Sequence, residues 1–192
     1  MTLHRTLFTT LLASAVAMAN PYQSHEEDLA SVVETGKKAS EKLLQTLGGN
    51  LQKQMKAGGP IAAAKFCSSE AFPLTDSVSQ ELGANVSVKR ISLKERNPAN
   101  APEGHEKAVL ESLQTLKESN VLLPEYLVEE IGNDTYKFYK PLSINKPVCL
   151  KCHGQIEDKE LAGYIKNIYP TDKATGYKMG DLRGAIVVTV KK

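Results

Sequence analysis

An α+β fold built on an antiparallel sheet is predicted by three observations. Apolar residues return at helical spacing from Leu29 to Met55. Later in the chain, β-rich runs take over, and two of them flank Gly132-Asn133-Asp134 as a hairpin turn would. Helices and strands show little βαβ alternation, the pattern that a parallel sheet would need.

Element by element, His25 to about Lys56 reads as one long helix, carried by Leu29, Val32, Val33, Leu43, Leu44, Leu47, Leu51 and Met55. Ser24 with Glu27 resembles a capping box, and Gly48-Gly49 is the expected place for a bend. Gly58-Gly59-Pro60 ends this helix and opens a second, Ile61 to about Leu82, closed by Gly83. Pro73 is expected to kink or divide that second helix, which carries Cys67 on its first half. Asn85 to Leu93 alternates imperfectly and reads as a strand, followed by the turn-rich Asn97–Pro102. Glu103 to Ser119 is helical, with Val109, Leu110, Leu113 and Leu116 on one face. Leu127–Ile131 and Thr135–Leu142 form the hairpin, Asp158–Ile168 a short helix, and Leu182–Val190 a strong closing strand.

The N-terminus reads as an export signal. His4 and Arg5 give a basic start, Leu7 to Ala17 an apolar stretch too short to span a bilayer, and Ala17-Met18-Ala19 the small residues of a cleavage site. Cleavage near Ala19 would leave no membrane anchor and no nearby Cys for lipid attachment, so a periplasmic protein is expected. The expected organisation is a signal peptide over 1–19, a helical segment over 20–59 and a site-bearing domain over 60–192.

Composition is that of a globular domain: 41% hydrophobic and 24% charged, with 24 basic against 22 acidic residues. The lysines are spread along the chain, so no nucleic-acid surface is expected.

The chemistry concentrates in Cys149-Leu150-Lys151-Cys152-His153. Two thiols separated by two residues can each add to one vinyl group of a haem, and the adjacent imidazole then ligates the iron. A structural zinc site would need a second ligand pair, and only His4, His25, Cys67 and His105 remain. A thioredoxin-type dithiol would need a preceding βαβ pattern, which is lacking. One covalently bound haem c is therefore expected, and an export signal agrees with it because such attachment occurs outside the cytoplasm.

Cys67 is then the leftover thiol. It reads either as a small buried helix residue or as a thiolate ligand to iron opposite His153. Met179, His105 and His25 are rival sixth ligands, and the residues alone do not rank Cys67 above Met179.

Several stretches resemble a family of c-type haem domains of unknown function, found in bacterial periplasms, cyanobacterial lumens and the extracytoplasmic parts of signalling proteins. They are Ala64–Ser68, Arg90-Ile91-Ser92-Leu93-Lys94-Glu95-Arg96-Asn97-Pro98-Ala99-Asn100-Ala101-Pro102, Tyr139–Leu142, Cys149–Gly154 and Thr175–Ala185. The resemblance implies a PAS-like antiparallel sheet with flanking helices, and one haem whose iron is held by His153 and by Cys67 on an upstream helix. Arg90, Arg96 and Arg183 become candidates for the haem propionates, since each lies in a matching stretch. For each one singly, a surface position or an Arg–carboxylate pair explains it as well.

A thiolate ligand that leaves on reduction would open a position for a small gas and free its helix, which suits a redox or small-ligand sensor. The alternative is a periplasmic electron carrier with His153 and Met179 on the iron. No catalytic acid or base stands out, so no enzyme is expected; a peroxidase-like enzyme, which would need an open distal site with an acid/base residue, is the third reading. The first helix leaves a face that would suit a homodimer.

Overall fold

A computed structural model describes residues 21–132 and 134–192, with side chains described from residue 25 onward. The expected signal peptide at 1–19 lies outside the described residues. The α+β expectation holds: one antiparallel four-stranded sheet, in the order β1-β4-β3-β2, carries helices on both faces. The strands are β1 (Val86–Ile91), β2 (Leu127–Ile131), β3 (Thr135–Ser143) and β4 (Leu182–Lys191). A single row crosses all four: Val88 pairs with Val188, Val188 with Phe138, and Phe138 with Val128.

Helix α1 (Pro21–Ser69) packs on one face of the sheet through Val32, Ala39 and Leu43, which share a core with Val88, Phe138, Ile186 and Val188. Segment 20–59 and the sheet therefore have a common core. Ser24 lies within α1 and does not begin it. Gly48-Gly49 is not a bend either; both residues stay helical. The glycines cost the helix roughly 1 kcal/mol each, which the burial of Leu43 and Leu47 just before them outweighs. The break comes ten residues later, at Gly58 (φ −155°, ψ 21°) and Gly59 (φ 67°, ψ −159°). Gly59 occupies a backbone region that side chains beyond glycine avoid. Pro60, with its fixed φ, then restarts the helix.

Helix α2 (Ala71–Glu81) begins after Glu70, three residues before Pro73. A proline cannot donate to the carbonyl four residues back, so the division falls upstream, where Pro73 sits in a first turn that needs no such bond. On the other face of the sheet, α3 (His105–Glu118) packs Leu110 and Leu113 against Tyr139, Ala185 and Val187. Strand β4 is central and covered on both faces, which explains its unbroken apolar run.

Glu106 of α3 is fully buried on that second face. Its Oε1 accepts from Lys137 Nζ (2.8 Å) and lies 3.0 Å from Lys89 Nζ, while Oε2 accepts from the Glu103 N–H (3.0 Å). Burial alone would raise this carboxyl, but the bonds from Lys137, Glu103 and Lys89 hold it below the usual carboxylate range. The carboxylate thereby pins α3 to β1 and β3. The last two helices, α4 (Leu150–His153) and α5 (Lys159–Ile168, capped by Asp158), lie beyond the end of β3.

Candidate functional site

The Cys-rich motif is built by a proline. Pro147 opens a short 3-10 turn, Pro147–Cys149, that runs directly into α4. Helical geometry then puts Cys149 and Cys152 on the same side, one turn apart. Cys149 packs beside Ile144, Ala174 and Tyr177; Cys152 packs beside Ala64, Leu161 and Ile165. Both thiols stay partly exposed.

His153 is clasped by the loop that follows α5. Its ring Nδ1 lies 2.9 Å from the Ala174 carbonyl oxygen. Its own carbonyl accepts from the Tyr177 N–H (2.9 Å), and the Gly154 carbonyl accepts from the Gly176 N–H (3.0 Å). A carbonyl only accepts, so Nδ1 carries the proton and Nε2 keeps its lone pair. Burial, Arg183 and Arg96 push the imidazole down to about 3, against the opposing bond to Ala174. The ring is therefore a neutral donor through Nε2, oriented by a second partner as metal-binding histidines usually are.

Arg96 and Asp172 organise that clasp. Arg96 Nη2 donates to the carbonyls of Cys152 (2.6 Å) and Ala174 (3.1 Å), and Nε donates to Asp172 Oδ2 (3.1 Å). Asp172 Oδ1 in turn accepts from the Ala174 N–H (2.8 Å). The pair is 14% and 8% exposed and holds both backbone groups of the residue that orients His153. Asp172 and Ala174 were not foreseen from sequence.

Cys67 lies on the last part of α1, one turn beyond Ala64, which packs with Cys152. Its neighbour Ser68 shares a 2.8 Å hydrogen bond with Tyr164 Oη of α5. Cys67 is an exposed residue, yet burial around its sulfur is the largest influence on its thiol. That burial and the Cys152 sulfur push its thiol up, while Arg90 and Arg96 oppose them. Burial pushes the Arg90 guanidinium down. One Nη2 bond to the Ala71 carbonyl (3.3 Å) serves it, and its buried Nε has no partner. Arg183 Nη1 donates to Ser92 Oγ (2.7 Å), with its guanidinium 5.4 Å from the Tyr177 ring centroid.

Cys67, Cys152, His153, Arg90, Arg96 and Arg183 thus gather at one end of the sheet. Of the rival ligands, Met179 is 49% exposed in a turn two residues after Tyr177, and His105 is 86% exposed beside Glu129. The gathered set fits a haem. It offers two thiols one turn apart, an imidazole with a free Nε2, a further thiol on α1, and a buried guanidinium whose orphaned Nε could meet a carboxylate. Among the described residues no three His, Cys, Asp or Glu side chains converge as a zinc site would need. No described helix is long and apolar enough to cross a membrane.

Comparison with known proteins agrees with the fold. The solved structure described as the crystal structure of the cyanobacterial heme-protein Tll0287 superposes with a TM-score of 0.57 at 23% identity. The match covers 91% of this chain and 98% of that one. No curated protein matches this chain. The model of the Tll0287-like family, described as Tll0287, matches residues 5–191. The chain belongs to the Tll0287-like family.

Proposed function

We propose that this chain is a periplasmic haem protein with one haem c, attached through Cys149 and Cys152, whose iron is bound by His153 and Cys67. It acts as a redox or small-ligand sensor and not as an enzyme. The observation that carries this reading is the convergence of Cys67 with the motif: Ala64, one helical turn before Cys67, belongs to the apolar cluster that Cys152 packs against, and the Cys152 sulfur acts on the Cys67 thiol. The relative described as a heme-protein and the export signal read from residues 1–19 support it. Met179, half exposed beside Gly180, whose surroundings include Lys117 of α3, is less well placed as the second iron ligand.

When bound, the haem supplies a one-electron redox change at iron. The chain's own part is to hold His153 Nε2 in place and to set the proton on Cys67 Sγ. Burial favours the thiol there, whereas Arg90 and Arg96 favour the thiolate. A change in the iron's demand at Sγ would shift that proton. The segment Pro60–Ser69, bounded by the Gly59 kink and the break at Glu70, is the element that would follow. Its output would pass to a redox partner or signalling protein.

Electron paramagnetic resonance of the ferric protein tests the ligation. Cys67→Ala should abolish the thiolate low-spin signal, and Met179→Ala should leave it intact. An unchanged spectrum in Cys67→Ala would overturn the assignment. Steady turnover of hydrogen peroxide would instead argue for an enzyme.

A further inference from the structure

We propose that a cleft behind His153, on the α3 side of the sheet, is a binding site for a small carboxylate with a short apolar body, and that its occupancy is transmitted to His153 through Tyr177. The cleft has a volume of about 370 Å³, within the ordinary range for small-molecule sites of roughly 300–1,000 Å³. None of Cys67, Cys149, Cys152 or His153 lines it.

Its walls divide by chemistry. Leu93, Leu110 and Leu182 supply its apolar lining, while Ser92, Lys94, Arg183 and Asp181 supply its charged and polar lining. Neither Lys94 nor Arg183 forms an ion pair among the described residues, although Asp181 lines the cleft and Asp172 and Glu95 lie close enough to act on Arg183. Glu95 pairs with Lys173 (2.6 Å), Asp172 with Arg96 (3.1 Å), and Asp181 Oδ2 accepts from the Lys178 N–H (2.7 Å). Lys94 Nζ donates to the Thr175 carbonyl (2.6 Å) and Arg183 Nη1 to Ser92 Oγ (2.7 Å), leaving further donors on each. Two cations against one lining carboxylate give the cleft a net positive charge beside its leucines, which favours an anion that is itself half apolar. A strongly hydrated inorganic phosphate gains nothing from the leucines.

Tyr177 connects this cleft to the site. Lys94 Nζ lies 4.5 Å and the Arg183 guanidinium 5.4 Å from its ring centroid. The same ring meets the His153 imidazole edge-on, with centroids 6.2 Å apart and planes at 89°. A carboxylate that draws either cation away from the ring alters the packing against the imidazole. This transmission rests on the haem reading above; binding to the cleft does not.

Calorimetric titration of the haem-loaded protein with hexanoate, benzoate, hexanamide and phosphate at fixed ionic strength tests the site. The carboxylates should bind saturably, and hexanamide roughly tenfold or more weaker for want of charge. Lys94→Met and the cleft-filling Gln114→Trp should each weaken hexanoate by roughly tenfold. No saturable binding, equal binding of amide or phosphate, or full affinity in Gln114→Trp would overturn the site. Transmission is read separately, as a hexanoate-dependent change in the ferric resonance spectrum; saturating hexanoate without such a change would overturn it. Should Cys67→Ala fail to alter the spectrum, the ligand assignment falls while the calorimetric result still stands.

Discussion

His153 and Ala174, 21 positions apart in sequence, are joined by a 2.9 Å contact between imidazole Nδ1 and carbonyl oxygen, and Arg96 donates to that same oxygen. The orientation of the proposed iron ligand thus depends on an ion pair that touches neither thiol. Arg96→Ala would leave the Asp172 carboxylate buried without its partner. A stability loss of about 3 kcal/mol is expected, read by chemical denaturation. Asp172→Asn should cost less, because the amide oxygen can still accept from the Ala174 N–H. In the haem-loaded protein both should broaden the ferric resonance spectrum, as His153 loses a fixed orientation. A spectrum as sharp as that of the parent would refute the positioning role.

Glu106 makes acid stability specific to one residue. Its folded-state carboxyl lies below the ordinary value, which the unfolded chain has at about 4.3. Its contribution is therefore complete above that pH and declines as pH falls toward the folded value. Glu106→Gln removes the charge that holds Lys137 and Lys89, and should cost about 2 kcal/mol at pH 7. The gap between parent and variant should narrow below about pH 4.3. Urea denaturation across that range checks it; a gap constant with pH would show that the lysine pairs contribute nothing through charge.

Gly36 of α1 lies against the Phe138 ring so closely that an added Cβ would fall 2.2 Å from Cγ. Glycine to alanine in a helix ordinarily stabilises by roughly 1 kcal/mol. Here overpacking of about 1–3 kcal/mol should reverse the sign. Phe138→Ala, which removes the Cγ and Cδ2 atoms in the way, should relieve part of that cost, so a double-mutant cycle is expected to give a favourable coupling between the two sites. Additive effects would mean that α1 simply shifts away.

What could be read from the sequence was what is local. The strands, the hairpin and the placement of Cys149, Cys152 and His153 after Pro147 rest on neighbouring residues, and the structure has each of those elements. Arg96 and Asp172 stand 76 positions apart, and nothing in either neighbourhood announces the other. The carboxylate of Glu106 was missed for a different reason. It lies four residues before Leu110, on the apolar face of α3, but a charge there reads as surface until its lysines are known. The arginines were read as equivalent candidates. Only packing separates Arg90, with an orphaned Nε, from Arg96, whose donors are engaged.

Of the two glycine pairs of α1, Gly48-Gly49 reads as a bend and Gly58-Gly59 as the end of a helix, and two substitutions tell them apart. Gly48 is helical and exposed, with nothing within 4 Å of an added Cβ. Gly48→Ala should therefore stabilise the protein by up to about 1 kcal/mol. At Gly59 the space is equally open, but φ is 67° with ψ −159°. Gly59→Ala must strain that backbone, at a cost of order 1–3 kcal/mol, or abandon the kink. Losing the kink would re-aim Pro60–Ser69, and Cys67 with it, away from Cys152. The ferric spectrum of Gly59→Ala should then approach that of Cys67→Ala, whereas Gly48→Ala should match the parent. If Gly59→Ala keeps both stability and spectrum, the kink does not place the thiol, and the hinge assigned to this segment is wrong.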